Sequence, residues 1–301
     1  MRKLLPAMLL CAGSVLGLPL QAAMTQSEVP GADGVRIHLL KDGAVGATRT
    51  LLLIPGWLTS AVIWRAQIRY FAGRGDRVIA IDPRSQGGSS VVYSHNDPES
   101  RARDIRQVIA DLHLTDLVLV GWSQGVQDVA AYVGQFGTAG ISKLVLVDST
   151  VSDGPAEVSV HPQFVKADLR YMALYSADPD AYSRGFLRAI ISAPTTAPVM
   201  ASLVRGFLKT PPSVAIAMQI EDLFTVDRRP YLKKFDRPTL VVVSDRNPFM
   251  TEEKQMADEL SHGRFVVIAH AAHAVFFDQP AAFNRALEAF IEGEPTRGSG
   301  T

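Results

Sequence analysis

Leu117-Val118-Leu119-Val120-Gly121-Trp122-Ser123-Gln124-Gly125 is the stretch on which the reading of the fold turns. Leu117 to Val120 carry no polar alternation, as expected of a parallel strand covered on both faces. The segment from Gln124 to Phe136 that follows has a helical period. A G-x-S-x-G between a buried strand and a helix makes a sharp turn that projects the serine hydroxyl from the end of the sheet. There the positive end of the helix favours a developing oxyanion. Ser123 is therefore read as a nucleophile rather than as a structural turn serine.

Outward from that turn, short β-branched or Leu-rich runs alternate with stretches of helical period. Strands are expected at Val35 to Leu40, Thr50 to Ile54, Arg77 to Ile81, Leu117 to Val120, Leu144 to Val147, Leu240 to Val243 and Arg264 to Ile268. Helices are expected at Ala61 to Phe71, Glu99 to Leu112, Gln124 to Phe136, Thr251 to Leu260 and Ala281 to Ile291. This alternation specifies an α/β fold: a mostly parallel, doubly wound sheet. From Val151 to Arg237 it stops, and helical patches punctuated by Pro162, Pro179, Pro194, Pro198, Pro211 and Pro212 take its place. The expected organisation is a core in two parts, 24–150 and 238–292, with a helical cap insertion at 151–237 and a disordered tail at 293–301. Phe164, Met172, Tyr175, Phe186, Met200, Phe207, Met218 and Phe224 of the insertion are candidates to line an apolar pocket, or to pack the insertion onto the sheet.

The first residues form a separate element. Met1, Arg2 and Lys3 precede the apolar stretch Leu4 to Leu20, and Gln21-Ala22-Ala23 offers small residues for cleavage. Residues 1–23 read as a secretory signal peptide, so a secreted or periplasmic location is expected. An uncleaved anchor fits less well, because Pro6, Gly13, Gly17 and Pro19 interrupt the run. The single cysteine, Cys11, falls inside this leader, so disulfides play no part in the mature chain. The 30 basic and 30 acidic residues of the 301 cancel, which leaves no basic field for a nucleic-acid backbone. Hydrophobic content of 47% with 20% charged residues excludes a disordered chain.

Several motifs in order resemble the α/β-hydrolase fold family, including its serine esterase and lactonase members, over roughly Val35 to Ile291. Leu51-Leu52-Leu53-Ile54-Pro55-Gly56-Trp57 resembles the strand and oxyanion loop of that family. Asp82-Pro83-Arg84-Ser85-Gln86-Gly87-Gly88-Ser89 resembles its next turn, where Asp82 is expected to tie loops together with Arg84. Ala272-His273 resembles its histidine loop. The chain departs at Pro55, where His is frequent, and at Ala272, where Gly is usual. The resemblance implies an oxyanion hole formed by the backbone N–H groups of Trp57 and Gln124.

A serine hydroxyl needs a base within hydrogen-bond reach. Of the seven histidines, His273 follows a strand and precedes Phe276-Phe277-Asp278-Gln279-Pro280 and a helix, as the family's base does. His270 lacks the carboxylate or cysteine cluster that would complete a metal site, and His113 and His161 read as solvated or packing residues. The base requires a partner that fixes its tautomer. The resemblance places Asn247 where the acid is usual. Asp148, at the end of the preceding strand, matches an alternative acid position of some haloalkane dehalogenases in this superfamily. Asp148 is the favoured acid because it requires no rebuilt loop. Asp245, and Asn247 as a neutral partner, stay open.

The resulting expectation is a secreted serine hydrolase that cleaves a small-molecule carboxylic ester or lactone through an acyl-enzyme. It requires no cofactor, no metal, no nucleic acid and no stable membrane insertion after cleavage; the oligomeric state is not legible. The apolar residues of the insertion suggest a medium-sized hydrophobic acyl or alcohol part. Two other readings stay open: amidase, perhydrolase or cofactor-free haloperoxidase chemistry on the same triad, and a non-catalytic binding protein that kept the fold.

Overall fold

All seven expected runs form strands, joined by one that the sequence reading missed. In chain order they are β1 (Thr25–Pro30), β2 (Arg36–Asp42), β3 (Thr50–Ile54), β4 (Arg77–Ile81), β5 (Leu117–Trp122), β6 (Ile141–Val147), β7 (Thr239–Ser244) and β8 (Gly263–Ile268). The structure is a computed structural model that describes residues 24–152 and 162–293. The strands make one sheet in the order β1-β2-β4-β3-β5-β6-β7-β8. Strand β2 is antiparallel to both neighbours and every other pair is parallel. The sheet thus begins at Thr25 rather than near Val35. Strand β1 pairs with β2 from Thr25 opposite Lys41 to Pro30 opposite Arg36, and most of its residues are exposed.

The absence of polar alternation in the central strands has a direct structural cause. On β3, Leu51 and Leu53 face one layer while Leu52 and Ile54 face the other. The first layer holds α1 (Arg65–Ala72), α9 (Val275–Asp278) and α10 (Pro280–Glu292), contributing Ile68, Phe71, Phe276, Phe283 and Leu287. Trp64 stacks on Phe276 there with ring centroids 3.7 Å apart. The second layer holds α2 (Pro98–Asp111), α3 (Gln124–Phe136) and α8 (Met250–Glu259), contributing Ile105, Val126, Val129 and Met256. Local chemistry sets the helix starts. Asp97 caps α2 by accepting from the Ser100 N–H at 2.8 Å, with Pro98 in the first turn where its missing donor costs nothing. Strand β8, whose sequence has little polar alternation, is nevertheless an edge of the sheet, and most of its residues are only half-buried.

No strand occurs among the described residues between 151 and 237. The insertion consists of α4 (Pro162–Ala177), α5 (Pro179–Ile190), α6 (Ala197–Phe207) and α7 (Pro212–Phe224), with a 3-10 turn at Arg229–Lys234. Tyr175, Leu187, Phe207 and Met218 are buried in the first layer, so they join the insertion to the sheet. The leader 1–23 with Cys11, the residues of the tail after Gly293, His161, and the side chains of Phe164 and Phe224 lie outside the described residues. No described helix is long and apolar enough to cross a membrane.

Candidate active site

Strand β5 ends in a turn with little freedom. Ser123 has φ 55° and ψ −126°, a conformation that non-glycine residues rarely adopt and that persists only where surroundings enforce it. Its N–H donates to the Val147 carbonyl at 3.0 Å, and its carbonyl accepts from the Val126 N–H at 2.8 Å. The flanking glycines are required by space: a Cβ at Gly121 would lie 2.3 Å from the Gly125 carbonyl oxygen, and one at Gly125 would lie 2.6 Å from that of Ile54. This packing seats the first turn of α3 directly behind the serine.

His273 lies in the loop between β8 and α9. Its Nδ1 is 2.8 Å from Oδ2 of Asp148, and its carbonyl accepts from Trp122 Nε1 at 2.9 Å. Two carboxylates hold the loop's backbone. Asp245 accepts from the N–H groups of His270 and Ala271 at 2.8 and 3.3 Å. Asp278 accepts from the Ala272 N–H at 2.7 Å and, across to the insertion, from the N–H groups of Ser192 and Ala193 and the Ser192 hydroxyl. The His270 N–H holds the Asp245 carboxyl below the usual carboxylate range.

Among the three candidates for the acid, only Asp148 reaches the imidazole. Asp148 is buried and follows β6 with φ 50°, a left-handed conformation that Asp tolerates better than most residues. Its Oδ1 accepts from the Ser244 N–H at 2.7 Å and from Asn247 Nδ2 at 2.9 Å, which leaves Oδ2 for His273. Asp245 is engaged with the loop backbone, and Asn247 hydrogen-bonds Asp148 rather than His273.

Ser123, His273, Asp148, Trp57 and Gln124 all line one cavity of about 540 Å³. Trp57 follows β3; its indole Nε1 donates to the Ala215 carbonyl of α7 at 3.1 Å. Gln124 opens α3, and its side chain donates to Asp222 of α7. Asp222 in turn accepts from Arg101, which bridges to Asp128 at 2.7 Å. This buried link between the insertion and the nucleophile turn was not read from the sequence; nothing in the spacing of Arg101, Gln124, Asp128 and Asp222 announces it.

Among the described apolar side chains singled out in the insertion, Phe186 lines the cavity and the others pack within the insertion or onto the sheet, the second of the two outcomes expected for them. Polar groups on the insertion side include Asp168, Gln219 and Asp222, so the cavity is less apolar than the inventory suggested. Burial, with a further push from the Asp222 charge, raises Asp168 to about 6. Asp82 and Arg84 tie loops, but through separate partners. Asp82 accepts from His38 Nδ1 and from the N–H groups of Ala61 and Gly88, whereas Arg84 pairs with Asp104 at 2.6 Å. His270 and His113 are exposed. The described residues contain no group of three or more His, Cys, Asp or Glu placed to hold a metal.

Comparison with known proteins agrees with this architecture. A family profile described as alpha/beta hydrolase fold matches residues 49–280. A non-heme chloroperoxidase of Kitasatospora aureofaciens is 28% identical over 279 residues, covering 86% of this chain and 97% of that protein. A bifunctional esterase/perhydrolase of Acinetobacter calcoaceticus is 27% identical over 276 residues, with the same coverage of 86% and 97%. Among solved structures, an esterase from Rhodococcus sp. superposes with a TM-score of 0.77 at 24% identity, covering 90% of this chain and 100% of that one. A bromoperoxidase from Bacillus anthracis superposes with a TM-score of 0.76 at 21% identity, covering 88% and 100%.

Proposed function

The chain belongs to the α/β-hydrolase fold family, and from that premise we propose that it hydrolyses carboxylic esters or lactones through an acyl-enzyme on Ser123. The observation that carries this reading is the 2.8 Å contact between His273 Nδ1 and Asp148 at the cavity that Ser123 lines. With Nδ1–H donated to Asp148, the free Nε2 is the base. Ser123 Oγ attacks the substrate carbonyl carbon while Nε2 takes its proton. The tetrahedral oxyanion is held by the N–H groups of Trp57 and Gln124, and the imidazolium returns the proton to the leaving alcohol oxygen. Water then repeats the sequence on the acyl-enzyme and releases the acid. The names of the relatives favour a second acceptor at the same site: hydrogen peroxide in place of water would attack the acyl-enzyme and release a peracid, regenerating the Ser123 hydroxyl. The leader, with Arg2 and Lys3 before Leu4 to Leu20, supports secretion or export to a periplasm after cleavage near Ala23.

Turnover of p-nitrophenyl butyrate and of a simple lactone by the wild type and Ser123→Ala tests the reading. Hydrolysis of at least one, abolished in Ser123→Ala, is expected. Equal hydrolysis by the two proteins contradicts it. Peracid formation, measured with the same ester and added peroxide, decides whether the second acceptor is used.

A further inference from the structure

The loop after β7 holds Asn247 between two buried carboxylates. Its Nδ2 is 2.9 Å from Asp148 Oδ1 and 2.6 Å from Glu253 Oε1, and an amide nitrogen has two hydrogens to give, one for each. Its Oδ1 accepts from the Phe249 N–H at 2.7 Å, which fixes which end of the amide faces the carboxylates. Asp148 and Glu253 are almost fully buried, so each depends on hydrogen-bond donors from the protein. A neutral double donor between them gives each carboxylate one hydrogen bond.

We infer that Asn247 is a positioning residue of the hydrolytic site: its amide directs the Asp148 carboxylate toward His273 and separates it from Glu253. The inference rests on the proposed role of Asp148. With Oδ1 occupied by the Ser244 N–H and Asn247, the carboxylate cannot rotate without giving up a buried charge-assisted bond, so Oδ2 stays aimed at Nδ1. Asn247 touches neither the base nor the nucleophile; it acts through the acid. A consequence runs against the family resemblance. An Asp at 247, where the family's acid is usual, has no hydrogens for either neighbour and places a third carboxylate between two others. Like charges at that distance cannot all ionise in a buried site. Asn247→Asp is therefore more harmful than Asn247→Ala, although Asp matches Asn in size.

The test compares Asn247→Ala, Asn247→Asp and Asp148→Asn with the wild type. It uses kcat and KM for p-nitrophenyl butyrate and the rate at which a fluorophosphonate labels Ser123, with circular dichroism to verify folding. Asn247→Ala is expected to lose about ten- to a hundredfold in kcat and labelling rate, with KM changed less than about threefold. Asn247→Asp is expected to fall below Asn247→Ala, an order that mere loss of packing reverses, because Asp fills the space that Ala leaves empty. Asn247→Asp at or above Asn247→Ala, or Asn247→Ala within about threefold of wild type, overturns the inference. If Asn247→Asp does not fold, the kcat and KM of Asn247→Ala decide alone. Failure of the underlying reading looks different: Asp148→Asn then labels as fast as wild type. A slow Asp148→Asn with normal Asn247 variants refutes the positioning role alone.

Discussion

The two walls of the cavity are built on different principles. On the sheet side, each reacting group hangs from a strand end and is pinned by the backbone. Ser123 is tied to Val147, Asp148 to Ser244, and the His273 loop to Asp245 and Asp278. On the insertion side, helices α4, α5 and α7 present Asp168, Phe186 and Gln219, and Asp168 is held by the Gln219 amide at 3.0 Å. The strand ends are thus held by hydrogen bonds to the backbone, as suits the positioning that the proposed chemistry requires. The helical wall is tied to that frame at three points: Asp222 to Gln124, Ala215 to Trp57, and Ser192 with Ala193 to Asp278. On the proposed reading, the strand ends carry the chemistry and the helical wall shapes the space for the substrate.

The sharpest way to break this contrast is to remove the committed groups. His273→Ala and Asp148→Asn are each expected to lower turnover by up to about four orders of magnitude, because Asn at 148 favours the wrong imidazole tautomer. Asp245→Asn weakens only backbone contacts to the loop and is expected to cost less than about tenfold. A severe loss at Asp245 with near-normal Asp148→Asn would assign the acid to the later loop. For stability the same contrast holds. Phe276→Ala removes the ring stacked on Trp64 and is expected to cost about 3–5 kcal/mol in denaturant unfolding. Phe186→Ala, at a half-buried position on the cavity wall, is expected to cost less than half of that and to show itself in KM for longer acyl chains.

How much of this was legible in the sequence follows the same division. The nucleophile turn, the histidine loop and the inner strands announced themselves because burial on two faces and a forced turn leave few residue choices. Strand β1 did not: Thr25-Gln26-Ser27-Glu28 lies at a solvated edge, where no apolar pattern is demanded. Asp148 was readable as a strand-end carboxylate, but its link to Asn247 and Glu253 crosses from one strand end to a loop and the helix after it, which no periodicity encodes. Asp245 stayed open as the less favoured alternative, because nothing in the sequence shows that its carboxylate is taken up by the backbone of His270 and Ala271. The lining of the cavity was least legible, since helical period shows which face of a helix is apolar but not whether a neighbour or a cavity lies against it.

A smaller effect sharpens the contrast on the insertion side. Asp168 titrates at about 6 in the folded chain against 3.8 ordinarily, so between these values the folded state keeps a proton that the unfolded state has released. Its burial therefore weighs against folding as pH rises through that window, and fully above it. Asp168→Asn is expected to melt about 3 °C above wild type at pH 8, with the gap closing toward pH 4. A gap independent of pH would show that the carboxyl is not the cause.

Labelling of the wild-type protein by a fluorophosphonate, followed by intact mass and peptide mapping, tests the central claim most directly. One phosphonyl group per chain on Ser123, blocked in His273→Ala, is the predicted result. Folded wild-type protein that stays unlabelled, or carries the label elsewhere, would contradict the claim that Ser123 is an activated nucleophile.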